Sequence, residues 1–203
     1  MHIGIDFDNT IVCYNGVFHK VAVEKGVVPP DLTPSKGHVR DYLRAHDQEE
    51  TWIELQGYVY GARMLDAFPF AGVLKFFSFC QTNGLDVSII SHRTKAPFAG
   101  PEYDLHQAAR EWIKHYGFYE NSGLNQDHVF FELTKQAKIE RIKSQGCQVF
   151  IDDLPEFLAE PDFPAIRKIL FDHDRRHPNE TRFQRAANWE EIRQFISQEV
   201  EIA

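Results

Sequence analysis

The sequence predicts a doubly wound α/β domain built on a parallel five-stranded sheet and carrying a small helical insertion. Three observations carry that prediction. Five short apolar runs, at 2–6, 86–91, 128–132, 148–152 and 167–172, alternate with stretches of helical periodicity, the pattern of strand–helix–strand units. Three of the runs end in residues that bring chemistry rather than packing: Asp6, Ser91 and Asp152. The gap between the first two runs is about seventy residues, whereas a crossover helix takes about a dozen, so a further piece of structure is inserted there.

The first strand leads into Ile3–Val12, Ile-Gly-Ile-Asp-Phe-Asp-Asn-Thr-Ile-Val. In an extended chain Asp6 and Asp8 point the same way. Like charges in that register have no packing reason to exist, and a divalent cation supplies one. If this strand is central, Asp6 lies at its carboxyl end, where open α/β sheets bind ligands. A carboxylate there can attack phosphorus. The second, turned back by the loop, can protonate a leaving group and then activate water.

Residues 14–68 form the expected insertion, and 1–13 with 69–203 the core. Pro29, Pro30, Pro34 and Gly37 break the insertion into pieces, with helical periodicity over 39–45 and 51–60, as in a small helical lid. Trp52, Tyr58, Tyr60 and Arg63 lie in it; aromatics there usually pack helices together, with substrate contact the lesser reading. Next, 72–80 reads as a buried helix stopped by Asn83-Gly84. A second helix over 103–116 places Leu105, Ala108, Ala109, Trp112, Ile113 and Tyr116 on one face. Helices are also expected over 138–144, closed by Gly146, and over 189–196.

The later strand endings complement the first. Ser91, followed by His92, Arg93 and Thr94, offers a hydroxyl and main-chain N–H groups to phosphoryl oxygens. Arg93 either clamps a second anionic group or pairs with an acidic neighbour. Asp152 and Asp153 end the fourth run. Mg²⁺ takes one or two carboxylates plus substrate oxygens and water, a set that Asp6, Asp152 and the carbonyl of Asp8 can supply. Lys138 lies on the helix leading into that strand and can reach the same opening.

With these motifs in order, Asp6-Phe-Asp-Asn-Thr10, Ser91 after an apolar strand, an upstream lysine and Asp152-Asp153, the chain resembles the haloacid dehalogenase-like superfamily over nearly its whole length. The resemblance implies Asp6 as nucleophile, Asp8 as acid/base, Thr10 supporting the loop, Ser91 and Lys138 on the phosphate, Asp152 on Mg²⁺, and Asp153 as a second metal carboxylate. It also implies that the insertion is a cap of the C1 type. Lys138 stands fourteen positions before Asp152, similar to the family spacing, with Lys135 the runner-up. Dehalogenases and P-type pumps of this fold lack an aspartate at the position of Asp8, so phosphoryl chemistry is favoured. The expected activity is Mg²⁺-dependent phosphomonoester hydrolysis through an aspartyl-phosphate. A phosphomutase and a non-catalytic phosphate-binding module are the alternatives.

Composition bounds the rest. A chain of 203 residues with 43% hydrophobic content supports a sizeable core. The net charge of -8, with no Lys/Arg-rich run, excludes a basic stripe for nucleic acid; no membrane partner is expected, and the partner is a small phosphate ester. Cys13, Cys80 and Cys147 lack metal-type spacing and point to free thiols in a reducing, cytoplasmic setting. His173, Asp174 and His177 have a spacing that can bind metal, but with Arg175 and Arg176 they read better as a charged loop.

Overall fold

A computed structural model describes residues 1–200. In chain order it contains β1 (His2–Ile5), β2 (Val12–Cys13), α1 (Asn15–Glu24), α2 (Lys36–Ala45), α3 (Glu49–Tyr60), β3 (Phe68–Pro69), α4 (Val73–Thr82), β4 (Asp86–His92), α5 (Leu105–His115) and α6 (Phe118–Asn121). There follow β5 (Val129–Glu132), α7 (Lys135–Ser144), β6 (Val149–Asp152), α8 (Pro155–Leu158), β7 (Arg167–Phe171), β8 (Gln184–Ala186) and α9 (Trp189–Val200). No helix among the described residues is long and apolar enough to cross a membrane.

The main sheet is parallel, in the order β5-β4-β1-β6-β7-β8. All five expected strands are present. The sheet has a sixth, β8, where five were expected. Its sequence is Gln-Arg-Ala and only Ala186 is buried, so a short edge strand leaves no apolar run to read. The central strands do leave one, because helices cover both faces. Ile3, Ile5, Ile89, Ile90, Phe150, Ile151 and Ile169 are fully buried. On one side Ile139 and Ile142 of α7 join Ile90, Phe150, Phe157 and Leu170. Elsewhere Trp189 of α9 packs on Phe76 and Phe171, with ring centroids 5.1 and 5.6 Å away. Gly4 in β1 permits the closest approach, since a Cβ there would meet Phe150 at 2.6 Å.

The chain packs as two units. Residues 1–11, 69–92 and 117–200 make the sheet unit. Residues 12–68 and 93–116 make the second, so 93–116, assigned to the core from sequence, packs with the insertion instead. Trp112 Nε1 of α5 donates to the Ala67 carbonyl at 2.8 Å. Leu105, Ala109, Trp112 and Ile113 are buried, as the periodicity requires; periodicity reveals that a face is covered but not by what. Within the unit Phe18 packs on Trp52 at 5.2 Å and Tyr14 on Tyr60 at 5.0 Å. Ser35 accepts from His38 N and Asp104 from Gln107 N, which fixes where α2 and α5 begin. The Ser35 cap starts α2 at Lys36, a turn earlier than its apolar pattern indicates.

Candidate active site

Three adjacent strands set the site. β1 lies between β4 and β6, and the ladder runs one residue past β1, where Asp6 N donates to the Ile151 carbonyl at 2.9 Å. Their carboxyl ends therefore carry Asp6, Ser91 and Asp152 to one edge. Phe7, on the opposite side of the chain from Asp6, is fully buried and packs on Phe131 at 5.5 Å. The loop then turns at Asn9, whose φ of 60° is left-handed. Asparagine tolerates that region better than most residues. The turn is held by Ile11 N on the Phe7 carbonyl at 3.0 Å and by Trp189 Nε1 on the Thr10 carbonyl at 3.2 Å. Sequence reasoning missed this use of Trp189, because nothing local signals a partner so distant in the chain.

Asp6, Ser91, Lys138 and Asp152 are buried together. Ser91 Oγ donates to Asp6 Oδ1 at 2.9 Å. Lys138 Nζ donates to Asp6 Oδ1 and to Asp152 Oδ2, each at 2.6 Å. The other Asp152 oxygen accepts from Leu154 N at 2.9 Å. Asp6 Oδ2 has a weaker environment, with Thr10 Oγ1 at 3.5 Å from it and from Asp153 Oδ1 alike. Thr134 starts α7 by accepting from Ala137 N at 3.0 Å, and the first turn of that helix presents Lys138, whose ammonium lies 4.1 Å from the Phe157 ring centre.

The charges are strongly coupled. Burial, opposed by Lys138 and reinforced by Asp152 and Asp8, raises the Asp6 carboxyl to about 7. Burial draws the Lys138 ammonium down, but Asp152 and Asp6 more than offset it, so its pKa is raised and it stays charged. Asp6, Asp152 and Asp153 each offer an oxygen, all within 4.8 Å of one another. A clustered set of hard carboxylate donors, one of them pushed toward protonation, suits a divalent cation.

A cavity of about 90 Å³ opens on this group, lined also by Asp8, Asn9, His92, Lys135, Leu154 and Phe157. Of the two candidate lysines, Lys138 touches the buried carboxylates; Lys135 is half-exposed and pairs with Glu160 at 3.7 Å. Arg93 does not join the group. It is buried, with Nε on the Leu105 carbonyl at 3.1 Å, Nη2 on the Tyr60 carbonyl at 3.2 Å and its guanidinium over the Tyr60 ring. Trp52 and Arg63 are likewise structural, Arg63 being paired with Glu24 and Asp66. His173 pairs with Asp174, which also takes Arg176; these residues do not form a metal cluster. Cys80 and Cys147 are free thiols, and burial pushes both up to about 12.

No family model and no curated protein matches the sequence. Solved structures do. A haloacid dehalogenase-like family hydrolase from Streptococcus pneumoniae is 12% identical, with a TM-score of 0.61, covering 96% of this chain and 97% of that one. A HAD family hydrolase from Deinococcus radiodurans, solved with bound phosphate and sodium, is 13% identical, with a TM-score of 0.57 and coverage of 97% and 95%. The Mycobacterium tuberculosis Protein Tyrosine Kinase A is 14% identical, with a TM-score of 0.62 and coverage of 96% and 97%. Over nearly its whole length, the chain has the fold of the haloacid dehalogenase superfamily.

Proposed function

We propose that the protein is a Mg²⁺-dependent phosphomonoester hydrolase that works through an aspartyl-phosphate on Asp6. The observation that carries this reading is the unequal environment of the Asp6 carboxylate. One oxygen is fixed by Ser91 and Lys138, while Oδ2, among the described residues, has only the 3.5 Å Thr10 contact. In the proposed reaction Oδ2 attacks phosphorus as the bond to the leaving oxygen breaks, and Asp8 gives that oxygen its proton. Asp8 then takes a proton from water, which attacks the same phosphorus, releasing inorganic phosphate and restoring Asp6. Ser91 and Lys138 hold phosphoryl oxygens, and Lys138 offsets the repulsion between an anionic nucleophile and an anionic ester. Asp6, Asp152, Asp153 and the Asp8 carbonyl would hold Mg²⁺, which supplies further charge neutralisation on the transferring group.

The insertion at 14–68 is read as a C1-type cap from its place in the chain between the first and second motifs. A cytoplasmic setting is proposed from the free thiols of Cys80 and Cys147. The test is phosphate release from a panel of phosphate monoesters with Mg²⁺, with chelator, and with Mg²⁺ restored. Release that stops with chelator and returns with Mg²⁺ is expected. Undiminished release in chelator, or no release from any ester, would overturn the reading.

A further inference from the structure

Beyond the groups assigned to phosphate and metal, the lining of the cavity includes one more cation, Lys135. It is the first residue of α7 and stands one turn before Lys138. Residues spaced i, i+3 on a helix are neighbours, roughly 5–6 Å apart at Cβ. Lys138 is held between two buried carboxylates. Lys135 is not: its pairing with Glu160 spans 3.7 Å between side chains 49% and 35% exposed, the kind of exposed pair that contributes little and exchanges readily. His92, on the same cavity, is held below its ordinary range by partial burial, with Lys138 and Lys135 adding to the effect, so Lys135 is the rim group that brings positive charge. Arg93, the other cation next to Ser91 in sequence, ends on main-chain carbonyls.

We propose that Lys135 receives a second anionic group of the substrate, so that the site takes short phosphate monoesters bearing a carboxylate or second phosphate a few bonds from the ester oxygen. The short separation between Lys135 and Lys138 sets that length. The carboxylates Asp8 and Asp153 line the same cavity; both belong to the acid/base and metal set proposed above, and Glu160 is the partner that the incoming anion displaces. This rests on the phosphate-ester reading above, and its test needs no turnover.

The experiment measures binding of two phosphonates to the Mg²⁺-loaded protein by calorimetry. One is 3-phosphonopropionate, which carries a carboxylate; the other is propylphosphonate, its neutral-tailed counterpart. Wild type should bind the first about tenfold more tightly, as expected for a charge-assisted contact. Lys135→Ala should remove that preference while changing the Kd for propylphosphonate less than about twofold, and Lys135→Arg should restore most of it. Equal affinities in wild type, or equal weakening of both ligands by Lys135→Ala, would overturn the proposal; the latter would place Lys135 on the phosphoryl group itself. Binding with preference but without ester hydrolysis would support the ligand class and sink only the hydrolase reading.

Discussion

Two sets of buried polar groups in this molecule differ in what they face. In the helical unit three such groups complete the backbone around them: Arg93 reaches the Leu105 and Tyr60 carbonyls, Trp112 Nε1 that of Ala67, and Ser35 caps α2. At the carboxyl ends of β4, β1 and β6 the buried groups face one another. Asp6 and Asp152 share a single ammonium, that of Lys138, and Ser91 joins them. The first arrangement satisfies main-chain donors and acceptors and is what folding requires. The second gathers like charges that an apolar core would replace at no loss of stability. Burial of a charged residue thus says little by itself; its partner says whether it serves the fold or the chemistry.

The comparison breaks most sharply at its two cations. Lys138→Met leaves Asp6 and Asp152 without their counter-charge, and loss of one partner from a buried ionic group costs about 3 kcal/mol. For a chain of this size that is a fall in Tm of roughly 6–12 °C, partly recovered by Mg²⁺, with hydrolysis lost. Arg93→Met leaves two carbonyls without their donor and should cost about 2 kcal/mol in urea denaturation. Its kcat/KM on a small aryl phosphate should stay within about threefold. A large rise in KM with unchanged stability would instead make Arg93 a substrate ligand.

A smaller effect separates the sets by pH. In chelator, the native state holds a proton on Asp6 up to about 7, whereas the unfolded chain releases it near the ordinary carboxylate value of 3.8. Between those values the native state binds more protons, so stability falls as pH rises through that window. Asp6→Asn should flatten this slope in urea midpoints measured across the window, and saturating Mg²⁺ should suppress it in wild type. A slope identical in Asp6→Asn and wild type would remove Asp6 as its source.

The sheet was legible in the sequence because strands buried on both faces read as apolar runs, as at 86–91 and 148–152, and β8 was not because an edge strand of Gln-Arg-Ala has no such run. At the site, the endings Asp6, Ser91 and Asp152 were legible as polar residues where packing had no use for them. The preference for Lys138 over Lys135 rested on its family-like spacing to Asp152 alone, since residues one turn apart on α7 differ only in how deeply the helix seats them. Arg93 shows a similar limit: a cation beside a phosphate-type serine reads as an anion clamp or as an ion-pair partner, and neither reading names the Leu105 and Tyr60 carbonyls that it meets. The grouping of α5 with the insertion was hidden because an amphipathic stripe does not name its partner.

The central claim is a covalent phosphoryl group on Asp6, and it can be trapped. Wild-type protein turning over a phosphate ester with Mg²⁺ is quenched in acid and treated with borohydride, which reduces an acyl phosphate to the alcohol; peptide mass spectrometry then locates the change. The account predicts homoserine at position 6 and an unmodified Asp8, with no conversion in Asp6→Asn or in chelator. Sustained turnover with Asp6 never converted, or conversion at Asp8 instead, would contradict it.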